Sequence, residues 1–234
     1  MGTFRPVPAF IPYLAVSVVY LIGILTGITA VSDSTKPLLM PALILAFGLT
    51  LHDWRGRGLP NPTPLAAALT LGGLVLSWAG DVALGPSFEF GLGFFLVAHL
   101  CYIAAFWISF AKGPSWWRLL ALPWFAGLLW LLAPSLGAML PLVAIYGAVL
   151  GFMAVSATRG NVFTALGGVL FVVSDSMLAF RLFTPAFQSP PEDAVIMLAY
   201  LLAQAFIVIG MLRSTPAERA SAGGHTPAFD RAGA

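Results

Sequence analysis

A bundle of membrane-spanning α-helices is the fold class this sequence predicts. Three observations predict it: composition, the length of the apolar runs, and the placement of the basic residues. Of 234 residues, 59% are hydrophobic and 9% are charged, against roughly 45–50% and 25% in a soluble domain. Mean hydropathy is +0.94. A water-facing fold of this size would have too few polar side chains to cover its surface, whereas a membrane helix needs about 20 apolar residues in a row. The chain supplies such runs repeatedly and lacks the short alternating segments of a transmembrane barrel.

Pro, Gly and charged residues punctuate the runs into eight predicted helices, at residues 9–30, 37–51, 63–84, 90–111, 116–133, 137–158, 161–184 and 193–213. The first follows MGTFRPVPAF and is longer than a signal-peptide core, so it reads as a span; ITAVSD leaves cleavage as a weaker alternative. The second and fifth are short for a span and are expected to tilt little or to start in the headgroup layer. Residues 1–213 thus form one transmembrane domain. The remainder, STPAERASAGGHTPAFDRAGA at 214–234, has no periodicity and is expected to be a disordered cytoplasmic tail.

Eight spans divide the 11 basic residues nine to two. One side takes Arg5, Arg55, Arg57, Lys112, Arg118, Arg159, Arg213, Arg219 and Arg231, and the other takes Lys36 and Arg181. Positive residues concentrate on the cytoplasmic side, so both termini are expected there, in the cell membrane if the chain is bacterial. The net charge of +2 and the scatter of these residues argue against nucleic acid as a partner. Cys101, the single cysteine, has no intrachain disulfide partner and reads as packing.

A faint repeat links two predicted hairpins. GGLVLSWAGDVAL in the third helix and GGVLFVVSDSMLA in the seventh each run from a Gly-Gly pair to a small residue, Asp, two residues and Leu; the helices that follow carry AHLCYIAAF and AYLLAQAF. A parallel repeat of helices three and four onto seven and eight would place Asp81 and Asp175 at similar depth, in the outward half.

Ionisable groups within the spans are Asp81, His99 and Asp175, with Arg181 near a helix end. A charge at the bilayer centre costs roughly 2.5–3.5 kcal/mol on insertion scales, so such groups face the bundle interior and mark function. Asp81, just before Gly85 and Pro86, fits an interfacial solvated carboxylate as well as a site residue. Asp175 is expected to lie deeper. His99 and Tyr102 share a helix face. Tyr146, Tyr200 and Gln204 run through the same outward half, where each fits either a cavity wall or an interhelical hydrogen bond. Ser77, Ser174 and Ser176 are expected to bond backbone carbonyls. Lys36, before Pro37, reads as an interfacial anchor able to meet a lipid phosphate.

Several chemistries lack their residues. His52, His99 and His225 fall in a loop, a span and the tail, so no zinc set of His and Cys forms within the membrane. Neither a phosphate-cradling Gly-rich loop with its lysine nor a G-x-S-x-G elbow is present. No metal or other cofactor is expected.

KPLLMP, SWAGDVAL, FLVAHLCYIAAF and GGVLFVVSDSMLAF occur in this order between Lys36 and Gln204. Together they resemble the YhhN-like lysoplasmalogenases, membrane proteins of about eight helices. The resemblance implies cofactor-free hydrolysis of the vinyl ether bond of a lysoplasmalogen, giving a fatty aldehyde and glycerophospho-ethanolamine or -choline. Asp81 and Asp175 match the family's motif carboxylates, while His99, Tyr102 and Lys36 match flanking motif positions.

The chemistry suits these residues independently. A vinyl ether hydrolyses by proton transfer to its β-carbon, giving an oxocarbenium ion; water adds, and the hemiacetal collapses to aldehyde and alcohol. The site needs a general acid and a nearby anion, the arrangement of two carboxylates that glycosidases use. Asp175 is assigned the proton and Asp81 the cation and the water, with the reverse equally compatible with sequence. The competing class is a small proton- or ion-coupled transporter, in which intramembrane carboxylates carry the coupled ion. A third class, a non-catalytic scaffold, needs neither carboxylate.

Overall fold

The computed structural model describes residues 8–59, 61–111, 121–184 and 190–214. They form nine α-helices: α1 (Ile11–Thr26), α2 (Thr29–Thr35), α3 (Leu39–Gly56), α4 (Pro64–Ala83), α5 (Phe88–Ser109), α6 (Ala121–Leu136), α7 (Leu140–Ala157), α8 (Val162–Phe183) and α9 (Pro190–Leu212). No strand occurs among the described residues. Among the described residues, seven helical stretches are long and apolar enough to cross a membrane. One of them, Ala121–Ala157, spans 37 residues and covers most of both the fifth and the sixth predicted helices. A straight helix of that length would reach about 55 Å, well beyond a hydrocarbon core of about 30 Å. Instead the chain reverses at Gly137, where φ is +48°, and α7 packs back on α6 with Gly147 against Phe125.

Local chemistry sets most boundaries. Gly27 ends α1 with φ 70°, a left-handed conformation that favours glycine, and its N–H bonds back into the last turn. The predicted first helix therefore stops short of residue 30. α2 then folds against α1, where Gly23 leaves room for Val31 and Ser32. The Lys36–Leu38 3-10 turn joins α2 to α3, so this stretch of helix starts at Thr29 instead of residue 37. Thr63 and Asn161 cap α4 and α8 through side-chain oxygens, the latter accepting from two backbone N–H groups. The start of the predicted fifth helix, the tail beyond Ser214, and Arg5, Lys112, Arg118, Arg219 and Arg231 lie outside the described residues.

Helix α9 is the most buried of the spanning helices and α1 is among the least buried. The α4–α5 and α8–α9 hairpins pack most closely. Each uses a glycine of the repeated Gly-Gly pair: Gly73 lies under the Tyr102 ring, and Gly167 meets Ile207 and the Ala203 carbonyl. Small residues let membrane helices approach where apolar burial alone gives no preference for protein over lipid.

Candidate active site

The close hairpins leave a cavity of about 140 Å³ between α4, α5, α6, α7, α8 and α9. Its walls are mostly apolar, with Phe88, Leu92 and Phe95 on α5 and Trp124, Leu128 and Leu132 on α6. Against this lining stand few polar groups: Lys36 from the 3-10 turn, Asp81 from α4, Tyr146 from α7, Ser174, Asp175 and Ser176 from α8, and Tyr200 from α9.

Each carboxylate is held by a phenol. The Tyr200 hydroxyl donates to Asp81 Oδ2 at 2.9 Å, and the Tyr146 hydroxyl donates to Asp175 Oδ2. A carboxylate has two oxygens, so the second Oδ of each remains available to other partners. Ser174 donates to the Ile196 carbonyl at 3.0 Å and Ser176 to the Val172 carbonyl at 2.5 Å. Both serines thus hold backbone, as expected. Ser77 departs from that expectation: its buried hydroxyl finds no hydrogen-bond partner among the described residues.

Neither acid is fully exposed. Asp81 is only 8% exposed, whereas Asp175 is half-buried. Asp81 does lie in the last turn of α4, but α5 folds straight back over that turn, with Phe95 against Gly80 and Leu84 against Gly91. Nearness to a helix end did not bring it to solvent.

Three predicted supporting residues stand behind the cavity instead of lining it. Tyr102 donates to Gln204 Oε1 at 2.8 Å, joining α5 to α9. His99 is fully buried, with Nδ1 2.5 Å from the Phe95 carbonyl oxygen. That acceptor requires the proton on Nδ1. The His99 ring meets Tyr146 and Phe171 edge-on, at centroid separations of 5.5 and 4.7 Å. Arg181 pairs with Asp193 through two contacts of 2.8 and 3.3 Å, leaving Lys36 as the basic residue in the cavity wall. Trp78, which the sequence reading did not single out, donates to the Pro37 carbonyl at 2.9 Å and so fixes the Lys36 turn against α4. Among the described residues no three His, Cys, Asp or Glu side chains gather as a metal site.

Fold and site together define an integral, multi-pass helical membrane protein with a carboxylate pair in an apolar cavity. The YhhN family model matches residues 31–211, so the chain belongs to the YhhN family. It is 29% identical to human lysoplasmalogenase TMEM86A over 224 residues, covering 88% of this chain and 90% of the relative. To human lysoplasmalogenase TMEM86B it is 34% identical over 159 residues, 66% of this chain and 68% of the relative. To the rat TMEM86B lysoplasmalogenase it is 36% identical over 153 residues, 62% of each chain. No solved structure matches it.

Proposed function

We propose that this protein is a membrane-embedded hydrolase that cleaves the vinyl ether bond of a lysoplasmalogen, releasing a fatty aldehyde and glycerophospho-ethanolamine or -choline. The observation that carries the reading is the meeting of Asp81 and Asp175 in one apolar cavity with a lysine in its wall. The family relatives named lysoplasmalogenase support the same substrate class.

In this reading the single alkenyl chain lies between α5 and α6, and the Lys36 ammonium meets the phosphate. The vinyl ether then rests between the carboxyl groups. Asp175 donates its proton to the β-carbon, and the oxygen-stabilised cation forms beside ionised Asp81. Water adds to that cation and gives one proton to a carboxylate. The hemiacetal hydroxyl loses its proton as the glycerol oxygen gains one, so aldehyde and alcohol leave and the acid is restored. Fixed charges in a site that excludes water stabilise such a cation more than they would in solution. Tyr200 and Tyr146 hold the carboxylates in place; His99, Tyr102 and Gln204 support them from behind. Both termini face the cytoplasm in this arrangement, and in a bacterium the protein resides in the cell membrane.

The test is aldehyde release from lysoplasmenyl lipid by purified protein. Asp175→Asn and Asp81→Asn are each expected to lower the rate by about 10²–10⁴-fold, the usual contribution of a positioned acid or base. Full rates in both variants would refute the mechanism. Carboxylate-dependent uptake into liposomes without lipid turnover would establish a transporter instead.

A further inference from the structure

Directly inward of the carboxylates lies a second polar layer. In the α4–α5 hairpin Gly80 faces Phe95 and Gly73 faces Tyr102, which puts Ser77 level with Ala98 and His99. Ser77 is one turn from Asp81, and on α9 Gln204 is one turn from Tyr200. Ser77, His99 and Gln204 all have 0% exposure. Their Oγ, Nε2 and Nε2 atoms make no hydrogen bond of ordinary geometry among the described residues. Ser77 approaches the Tyr102 hydroxyl and Gln204 approaches that of Tyr200, near enough to interact but outside hydrogen-bonding geometry, so the layer is contiguous around Tyr102 yet its polar atoms are only loosely satisfied by one another.

Their hydrogen-bonding roles are complementary. His99 donates its Nδ1–H to the Phe95 carbonyl, so in the neutral ring Nε2 is an acceptor. Gln204 accepts from Tyr102 through Oε1, so its amide nitrogen offers donors. Ser77 can do either. Buried polar atoms without partners are costly, and a buried water satisfies them when about two to four polar groups converge on it.

We propose that Ser77, His99 and Gln204 hold ordered water between α4, α5 and α9, and that hydrolysis draws its water from this store. The second half of the proposal rests on the hydrolase reading. An alkenyl chain filling the apolar cavity excludes bulk water, yet each turnover consumes one molecule. Tyr146 and Tyr200 stand between the layer and the cavity: Tyr146 touches His99, Tyr200 neighbours Gln204, and both line the cavity wall. Water passing Tyr200 reaches Asp81, which takes one proton as the water oxygen bonds to the oxocarbenium carbon.

The experiment combines a high-resolution structure of the full chain in nanodiscs with kinetics of Gln204→Leu and Ser77→Val on lysoplasmenyl lipid. Water density within hydrogen-bond distance of His99 Nε2 and Gln204 Nε2 is expected. Each variant should lose about tenfold in kcat with little change in KM. Added methanol should capture a larger share of the cation as methyl acetal than in the native enzyme, a change that a structural role alone would not produce. Two results overturn the proposal: a dry layer whose three side chains bond one another, or variants with native kcat and native methanol capture. A native enzyme that releases no aldehyde would instead defeat the hydrolase reading, while the density would still decide the water site.

Discussion

At the residue scale, Asp81 and Asp175 are distinguished by their donors. Each accepts from one tyrosine on another helix, Tyr200 on α9 and Tyr146 on α7. Tyr200→Phe removes the donor to Asp81 and leaves the shape nearly intact. Hydrogen bonds to charged groups contribute about 1.5–3 kcal/mol, so the aldehyde-forming rate should fall by roughly 10- to 100-fold. Tyr146→Phe should act similarly through Asp175, and unchanged kcat/KM in both variants would show that neither phenol supports its carboxylate. Both acids and both tyrosines were legible in the sequence, because ionisable and phenolic groups stand out in apolar runs. Their pairing was not, since Tyr200 and Asp81 are 119 positions apart and meet only through the rotation of α9 against α4. The burial of Asp81 was also hidden: it depends on Phe95 and Leu84 closing over the end of α4, which distance from a helix end does not report.

At the element scale, the hairpins that carry the acids depend on close contact at glycine. A Cβ on Gly73 would overlap the Tyr102 ring, which is fully buried and bonded to Gln204. Gly73→Val is therefore expected to destabilise the protein by about 1–3 kcal/mol, seen as a lower midpoint of unfolding in detergent. An unchanged midpoint would mean that α4 and α5 separate without cost. Helix positions followed from apolar run length, yet two boundaries moved for local reasons. Most of the stretch TAVSDST fell between the first two predicted helices, but Ser34 and Thr35 turn their hydroxyls back to the Ala30 and Val31 carbonyls at 2.7 Å. Satisfied in this way, they continue the helix towards Lys36. At the other boundary, α6 runs to Leu136 with Pro134 inside it.

At the scale of the whole molecule, the bundle brings together acids from two separate hairpins and a lysine from a third segment. The fold class was legible because composition alone excludes a soluble chain. The cavity was not, because it is what remains after α4–α5, α6–α7 and α8–α9 pack, and no single segment encodes it. Its apolar walls and few polar groups suit one hydrocarbon chain with a reactive ether near two carboxyl groups. A saturated ether or an ester could bind there equally well, but only the vinyl ether forms a cation by taking a proton on carbon. The most direct measurement is therefore incubation of the purified protein with matched lysoplasmenyl, saturated alkyl ether and ester lysolipids, with aldehyde and fatty acid both quantified. Aldehyde from the vinyl ether alone, with the other two unchanged, is the expected result; fatty acid released from the ester at a comparable rate would contradict the account and make the protein a lysophospholipase.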